Sequence, residues 1–249
     1  MKSGFWLPVT LILTLLCGCA TSDKANSNTA KDAFEYAKSL EKNGRYEEAI
    51  AQYTEVKNKY SYNKLALDAE LRVADIQFER KNYIEAQSAY QLFKNFHPTH
   101  PKMDYVTFQL AMSYYNQLPK TVGRDLSLAS KASLYFDEVI QLFPHSSYVV
   151  KAKENKTDCL KKLAAKELYI ADFYFTRYMF NSALGRFEGL LKKYPKLELE
   201  PQALYGAAVS SYRSKELQKA RSYYKKLLSQ YPDSNQAQKI KNELSNELQ

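Results

Sequence analysis

Apolar residues recur along this chain at helical spacing, and the smallest of them fall in register. An alanine in one helix-periodic segment is answered by an alanine in the next: Ala37 and Ala49, Ala74 and Ala86, Ala111 and Ala132, Ala171 and Ala183, Ala208 and Ala220. Four residues beyond each second alanine stands a ring, in turn Tyr53, Tyr90, Phe136, Phe187 and Tyr224. Pro98, Pro144, Pro195 and Pro232 close four of the five segments, and the first ends at Tyr60-Ser61 without a proline. The pattern predicts five helix–turn–helix units. Two helices of a hairpin approach most closely where both carry alanine, and large rings fill the gaps on either side. Proline lacks an N–H and stops the second helix. No sustained period-two run is present and the chain holds 7 glycines, so the fold class is all-α.

This Ala/Ala/aromatic/Pro pattern resembles the tetratricopeptide unit, clearest from Lys166 to Pro195. The first-helix alanines are 37, 37, 60 and 37 residues apart, and periods above the unit's usual length imply helices longer by about one turn. The expected architecture is a tetratricopeptide-repeat superhelix of five units plus a C-terminal capping helix. That last helix runs from Asn235 to about Leu248, with Asp233-Ser234 as its cap. Asn43-Gly44 and Lys81-Asn82 mark turns inside units one and two, and Tyr46, Tyr83 and Phe180 are expected to pack those turns against the next repeat. Unit three departs: 21 residues separate its alanines instead of 12, and the excess lies within Gln117–Ser127, a loop broken by Pro119 and Gly123. A long helix, about Val149 to Phe175, then joins units three and four.

The N-terminus reads differently. Lys2 precedes an apolar run from Phe5 to Leu16, too short to span a bilayer comfortably. Leu16-Cys17-Gly18-Cys19 resembles the bacterial lipobox, which implies cleavage between Gly18 and Cys19 and a diacylglycerol and fatty acyl lipid on Cys19. More than one acyl chain anchors a protein stably. The alanine at position 20 points to outer-membrane sorting. The expected domains are a leader at 1–18, a lipidated flexible tether at 19–29, units 1–3 at 30–148, and units 4–5 with the capping helix at 149–249. With the leader gone and Cys19 acylated, Cys159 is the remaining thiol, so no intrachain disulfide can form.

The formal net charge of +9 falls to +8 without Lys2. The 36 basic residues are spread among 27 acidic ones, which argues against nucleic acid as a partner. Lys161-Lys162, Lys192-Lys193 and Lys225-Lys226 are expected near helix ends, offsetting the dipole. Catalysis finds little support. His97 and His100 flank a proline turn and could be half a metal site, yet lack companion ligands at supporting spacing. Cys159 has no histidine nearby, and no glycine-rich phosphate loop or nucleophile elbow occurs. Neither a metal nor a diffusible cofactor is expected.

Helical phase places Phe34, Lys38 and Glu41 of unit one, Leu71, Asp75 and Phe78 of unit two, and Tyr105, Phe108, Met112 and Tyr115 of unit three on the concave side. This predicts an aromatic-rich groove for an extended peptide, with ring contacts of about 0.5–1.5 kcal/mol each beyond burial.

Four features together resemble the BamD (YfiO/ComL) family, tetratricopeptide lipoproteins of the outer-membrane β-barrel assembly machinery. They are the lipobox with five uneven repeats, Arg124-Asp125 in the third-unit loop, Pro144 to Tyr148 after it, and the stretches Leu163–Tyr174 and Arg186–Pro195. Lys166 departs from the histidine many members carry. The resemblance implies a non-catalytic scaffold on the periplasmic face of the outer membrane. Its C-terminal repeats would grip a POTRA domain of the barrel-forming assembly protein through Arg186 and Glu188, alongside other assembly lipoproteins. Its N-terminal repeats would receive the C-terminal targeting strands of unfolded outer-membrane proteins at Phe34, Leu71, Phe78, Tyr105, Phe108 and Tyr115. A general envelope scaffold organising cell-wall or division enzymes is the alternative.

Overall fold

A computed structural model describes residues 29–248. The leader, the Gly18–Cys19 position and the tether up to residue 28 lie outside them. Thr29 belongs to the first helix rather than to the tether: its side chain accepts from the Asp32 amide and caps α1.

Eleven α-helices follow among the described residues. They pair as α1 (Ala30–Lys42) with α2 (Tyr46–Lys59), α3 (Lys64–Glu79) with α4 (Tyr83–Phe96), α5 (Met103–Asn116) with α6 (Ser127–Leu142), α7 (Val149–Phe175) with α8 (Phe180–Lys193), and α9 (Glu200–Arg213) with α10 (Leu217–Gln230). The last, α11 (Asn235–Leu248), lies against α9 and α10 and closes the stack. Its entry is capped as expected, Ser234 Oγ accepting from the Ala237 amide at 3.1 Å.

All ten alanines of the repeat pattern are fully buried, and the five following rings are at most 5% exposed. Four of the five hairpin turns share one backbone solution. The amide five residues past a carbonyl in the last helical turn bonds back to it, in the pairs Arg45–Leu40, Asn82–Gln77, Met179–Tyr174 and Glu216–Ser211, all at 2.9–3.0 Å. This is the 6→1 closure of a Schellman turn, which requires a left-handed residue. Gly44 supplies it freely at φ 75°, whereas Lys81, Tyr178 and Lys215 adopt φ of 66°, 58° and 64° with a Cβ present. Packing of the turn aromatics is divided. Tyr46 meets the next repeat, with the Arg80 guanidinium 5.5 Å above its ring. Tyr83 and Phe180 turn instead to their own first helices, onto Phe78 and Phe175.

Helix α7 has 27 residues. The second-helix alanines on either side of it, Ala132 and Ala183, are 51 residues apart against the regular 37. The excess of 14 is close to four helical turns, so α7 extends without rotating its alanine face away. Its first half puts Ala152, Asn155 and Cys159 into the interior around units two and three, and its second half puts Leu168 and Ala171 into the core of unit four. Lys161 and Lys162 therefore sit mid-helix rather than near an end, the first paired with Glu198 and the second with Asp158. Among the described residues no helix is long and apolar enough to cross a membrane.

Units four and five meet tightly at Gly206 of α9, where an added Cβ would overlap the Phe187 ring. Gly206→Ala is expected to destabilise the protein by about 1–3 kcal/mol through overpacking, despite the ~1 kcal/mol that alanine gains over glycine in a helix. Urea denaturation checks this, and Phe187→Leu in the same background is expected to recover part of the loss.

Candidate binding surfaces

The residues expected to line an N-terminal groove lie on α1, α3 and α5, and their rings are less free than phase alone implied. Leu71 and Phe108 are core residues, 3% and 8% exposed. Phe108 stacks on Tyr148 at 4.9 Å and leans on Phe136, so the expectation that these two line an open groove is corrected. Phe34, Phe78, Tyr105 and Tyr115 are half-buried. Phe34 meets Tyr53 edge-on at 5.2 Å, and Phe78 contacts Tyr83 and Tyr90.

Beneath them runs a polar seam that sequence reasoning missed. Arg72 on α3 gathers three carboxylates: Glu41 of α1, Asp75 and Glu79, with Nε to Glu41 Oε1 at 3.0 Å and Nη1 to Glu79 Oε1 at 3.1 Å. Tyr53 donates its hydroxyl to Glu41, and Tyr90 and Tyr105 both donate to Asp75 Oδ1 at 2.7 Å. Tyr115 donates to Asp158 of α7 at 2.8 Å, and burial with that carboxylate pushes its phenol up to about 12. The spacing Arg72, Asp75, Glu79 was available as a signal for one helix face. Phase placed Glu41, 31 residues earlier, on the same side, but nothing local joins it to Arg72. Tyr105 and Tyr115 thus keep a half-buried ring at the surface and spend their hydroxyls on the scaffold, while Tyr53 and Tyr90 are sealed in the core.

The C-terminal surface shows the reverse. On α7, Tyr169 and Phe173 are half-exposed, and in the turn that follows Tyr178 and Met179 are exposed too. The Arg177 guanidinium lies 3.7 Å over the Phe173 ring, and the Lys166 ammonium 5.9 Å over Tyr169. The result is a ridge of alternating cations and rings, whose signal was the 3/4/4 spacing of residues 166, 169, 173 and 177. Exposed apolar patches of this kind mark interaction sites. Arg186 sits nearby on α8, its side chain 46% exposed and bound to Glu167 of α7 at 3.3 Å. Glu188 is already engaged by the Tyr223 hydroxyl at 2.9 Å and by Lys219 at 3.5 Å. Of the two residues expected to meet a partner, Arg186 is the freer.

The third-unit loop is held against α7. Lys166 donates to the carbonyls of Gly123 (3.0 Å) and Arg124 (3.2 Å). Asp125 accepts from the Ser127 amide and hydroxyl, capping the start of α6, and these bonds hold its carboxyl below its ordinary range. The histidines have packing partners: His97 bonds Glu70 at 3.1 Å, and both His97 and His100 lie edge-on to Phe93. Burial pushes the Cys159 thiol up to about 12, the opposite of what a nucleophile needs.

Stacked helical hairpins with two surfaces of different chemistry define a tetratricopeptide scaffold, and residues 202–234 match a tetratricopeptide repeat family. Residues 26–205 match the outer membrane lipoprotein family YfiO, and the chain belongs to that family. Among similar proteins, the outer membrane protein assembly factor BamD of Rickettsia prowazekii is 29% identical over 239 residues, 94% of each chain. BamD proteins of Neisseria gonorrhoeae and Vibrio cholerae are each 24% identical, over 78% of this chain and 80% and 85% of their own.

The seam also carries a pH dependence. Burial alone would raise the Glu41 carboxyl, but the bonds from Arg72 and Tyr53 outweigh it and hold it below its ordinary 4.5. A depressed carboxyl contributes stability above its unfolded value and loses it as pH falls through the folded one. Glu41→Gln is expected to flatten the acid side of the stability–pH curve below about pH 4.5, as measured by urea midpoints across pH 3–7.

Proposed function

We propose that this protein is a non-catalytic scaffold lipoprotein of outer-membrane β-barrel assembly, tethered through lipid on Cys19 to the periplasmic face of the outer membrane. Membership of the lipoprotein family, with likeness to assembly factors along nearly the whole chain, supports the role. The observation that carries the mechanism is the cation–aromatic ridge on α7 beside Arg186. Such a surface fits a protein partner that brings carboxylates and apolar side chains together. Arg186 exchanges its exposed bond with Glu167 for a bidentate bond to a carboxylate of the POTRA domain, while Tyr169 and Phe173 supply the apolar area. Glu188 acts by fixing α8 against α10 through Tyr223 and Lys219.

The N-terminal groove receives the C-terminal strand of an unfolded barrel protein. Phe34, Phe78, Tyr105 and Tyr115 present ring faces to it, and the seam behind them holds those rings in place. Leu71 and Phe108 act from within the core.

Arg186→Glu is expected to abolish or sharply weaken co-purification of a POTRA-containing barrel protein from mildly solubilised outer membranes. Equal recovery with wild type and variant would remove Arg186 from the contact, and no barrel protein with wild type would favour a general envelope scaffold. Separately, Phe34→Ala with Phe78→Ala is expected to weaken binding of a peptide ending in an aromatic residue by about tenfold, two ring contacts' worth, as read by fluorescence anisotropy.

A further inference from the structure

A pocket of about 550 Å³ opens between the α7–α8 turn, α9 and α11. Tyr205, Val209 and Arg213 line it from successive turns of α9, and Phe175, Tyr178 and Phe180 face them from the turn. The walls are thus aromatic, and the volume is that of a site for a large side chain with its neighbours. Two charged groups reach it, and their situations differ. Glu243 of α11 is committed, accepting from the Tyr205 hydroxyl at 2.8 Å and pairing with Lys239 at 4.0 Å. Arg213 has no carboxylate partner among the described residues; its guanidinium rests 6.0 Å from the Tyr212 ring, exposed to solvent. An uncommitted cation beside aromatic walls selects an apolar body with an adjacent anion.

We propose that this pocket is a second peptide-recognition site, which takes an aromatic or large aliphatic side chain while Arg213 binds the carboxylate of a neighbouring Asp or Glu. The site is separate from Arg186 and from the groove of units one to three, and it does not depend on the assembly role. Tyr178, 81% exposed, stands at the open rim and closes over the bound side chain. Because the rim is open, a chain can pass through without ending there, so the ligand is an internal acidic–aromatic segment of a partner protein.

The test uses the purified full chain and two labelled, capped tetrapeptides, one alternating Asp and Phe, the other Lys and Phe, compared by fluorescence anisotropy at low and moderate salt. The acidic peptide is expected to bind and the basic one not. Arg213→Glu is expected to weaken the acidic peptide at least about tenfold, the worth of one charge-assisted bond. Arg213→Lys is expected to retain part of the binding, Tyr178→Ala to weaken it, and Arg186→Glu to leave it unchanged. All three substituted side chains are exposed, so circular dichroism should show an unaltered fold. Equal binding of the two peptides, indifference to Arg213→Glu, loss with Arg186→Glu instead, or no binding at millimolar peptide would each overturn the proposal.

Discussion

The contact of alanine with alanine across each hairpin sets the geometry of everything else. It is repeated five times and each member is sealed from solvent. A methyl group on both sides lets the helix axes close in, and only then can a ring four residues on reach across and fill the space beside them. The stack inherits its repeat spacing from this distance. Where two units must come closer still, the methyl itself is lost, as at Gly206 beneath the Phe187 ring.

Because the apolar packing is so uniform, the differences between the halves lie in what the tyrosines and arginines do. In units one to three the hydroxyls of Tyr53, Tyr90, Tyr105 and Tyr115 bond to buried or half-buried carboxylates, and Arg72 ties three acids together. These groups are stiffened and internally satisfied, so a ligand there meets prepositioned ring faces and few unpaired charges. On α7 and its turn the rings face water, and the cations beside them are held by ring faces and backbone carbonyls rather than by buried acids. Exposed rings of that kind have free energy still to gain on contact with another protein.

Much of the fold was legible because it follows from local chemistry. Periodicity, proline stops and the Ser234 cap place α7 and α11 within the residues that form them, and the excess spacing around Pro119 marks the loop. What sequence could not supply depends on contacts between distant segments. Helical phase put Leu71 and Phe108 on the concave side, but Tyr148, arriving from the turn before α7, covers Phe108. The same limit hid the Glu41–Arg72 bond. Lys161 and Lys162 were expected near a helix end although the long helix from Val149 to Phe175 was itself legible, and that helix places them in its middle. Three turns also use lysine or tyrosine where backbone geometry favours glycine, so turns were marked at Asn43-Gly44 and Lys81-Asn82 while the left-handed Tyr178 and Lys215 carried no signal.

The length of α7 has a mechanical consequence. At about 1.5 Å per residue its 27 residues form a strut of about 40 Å, rooted at one end among units two and three and at the other in unit four. Every other junction between units passes through a short turn. Here the backbone hydrogen bonds run unbroken, so tilting one half applies a torque to the other. On the proposed function, a strand received by the first three units and a partner docked on the last two would pull on opposite arms of one lever.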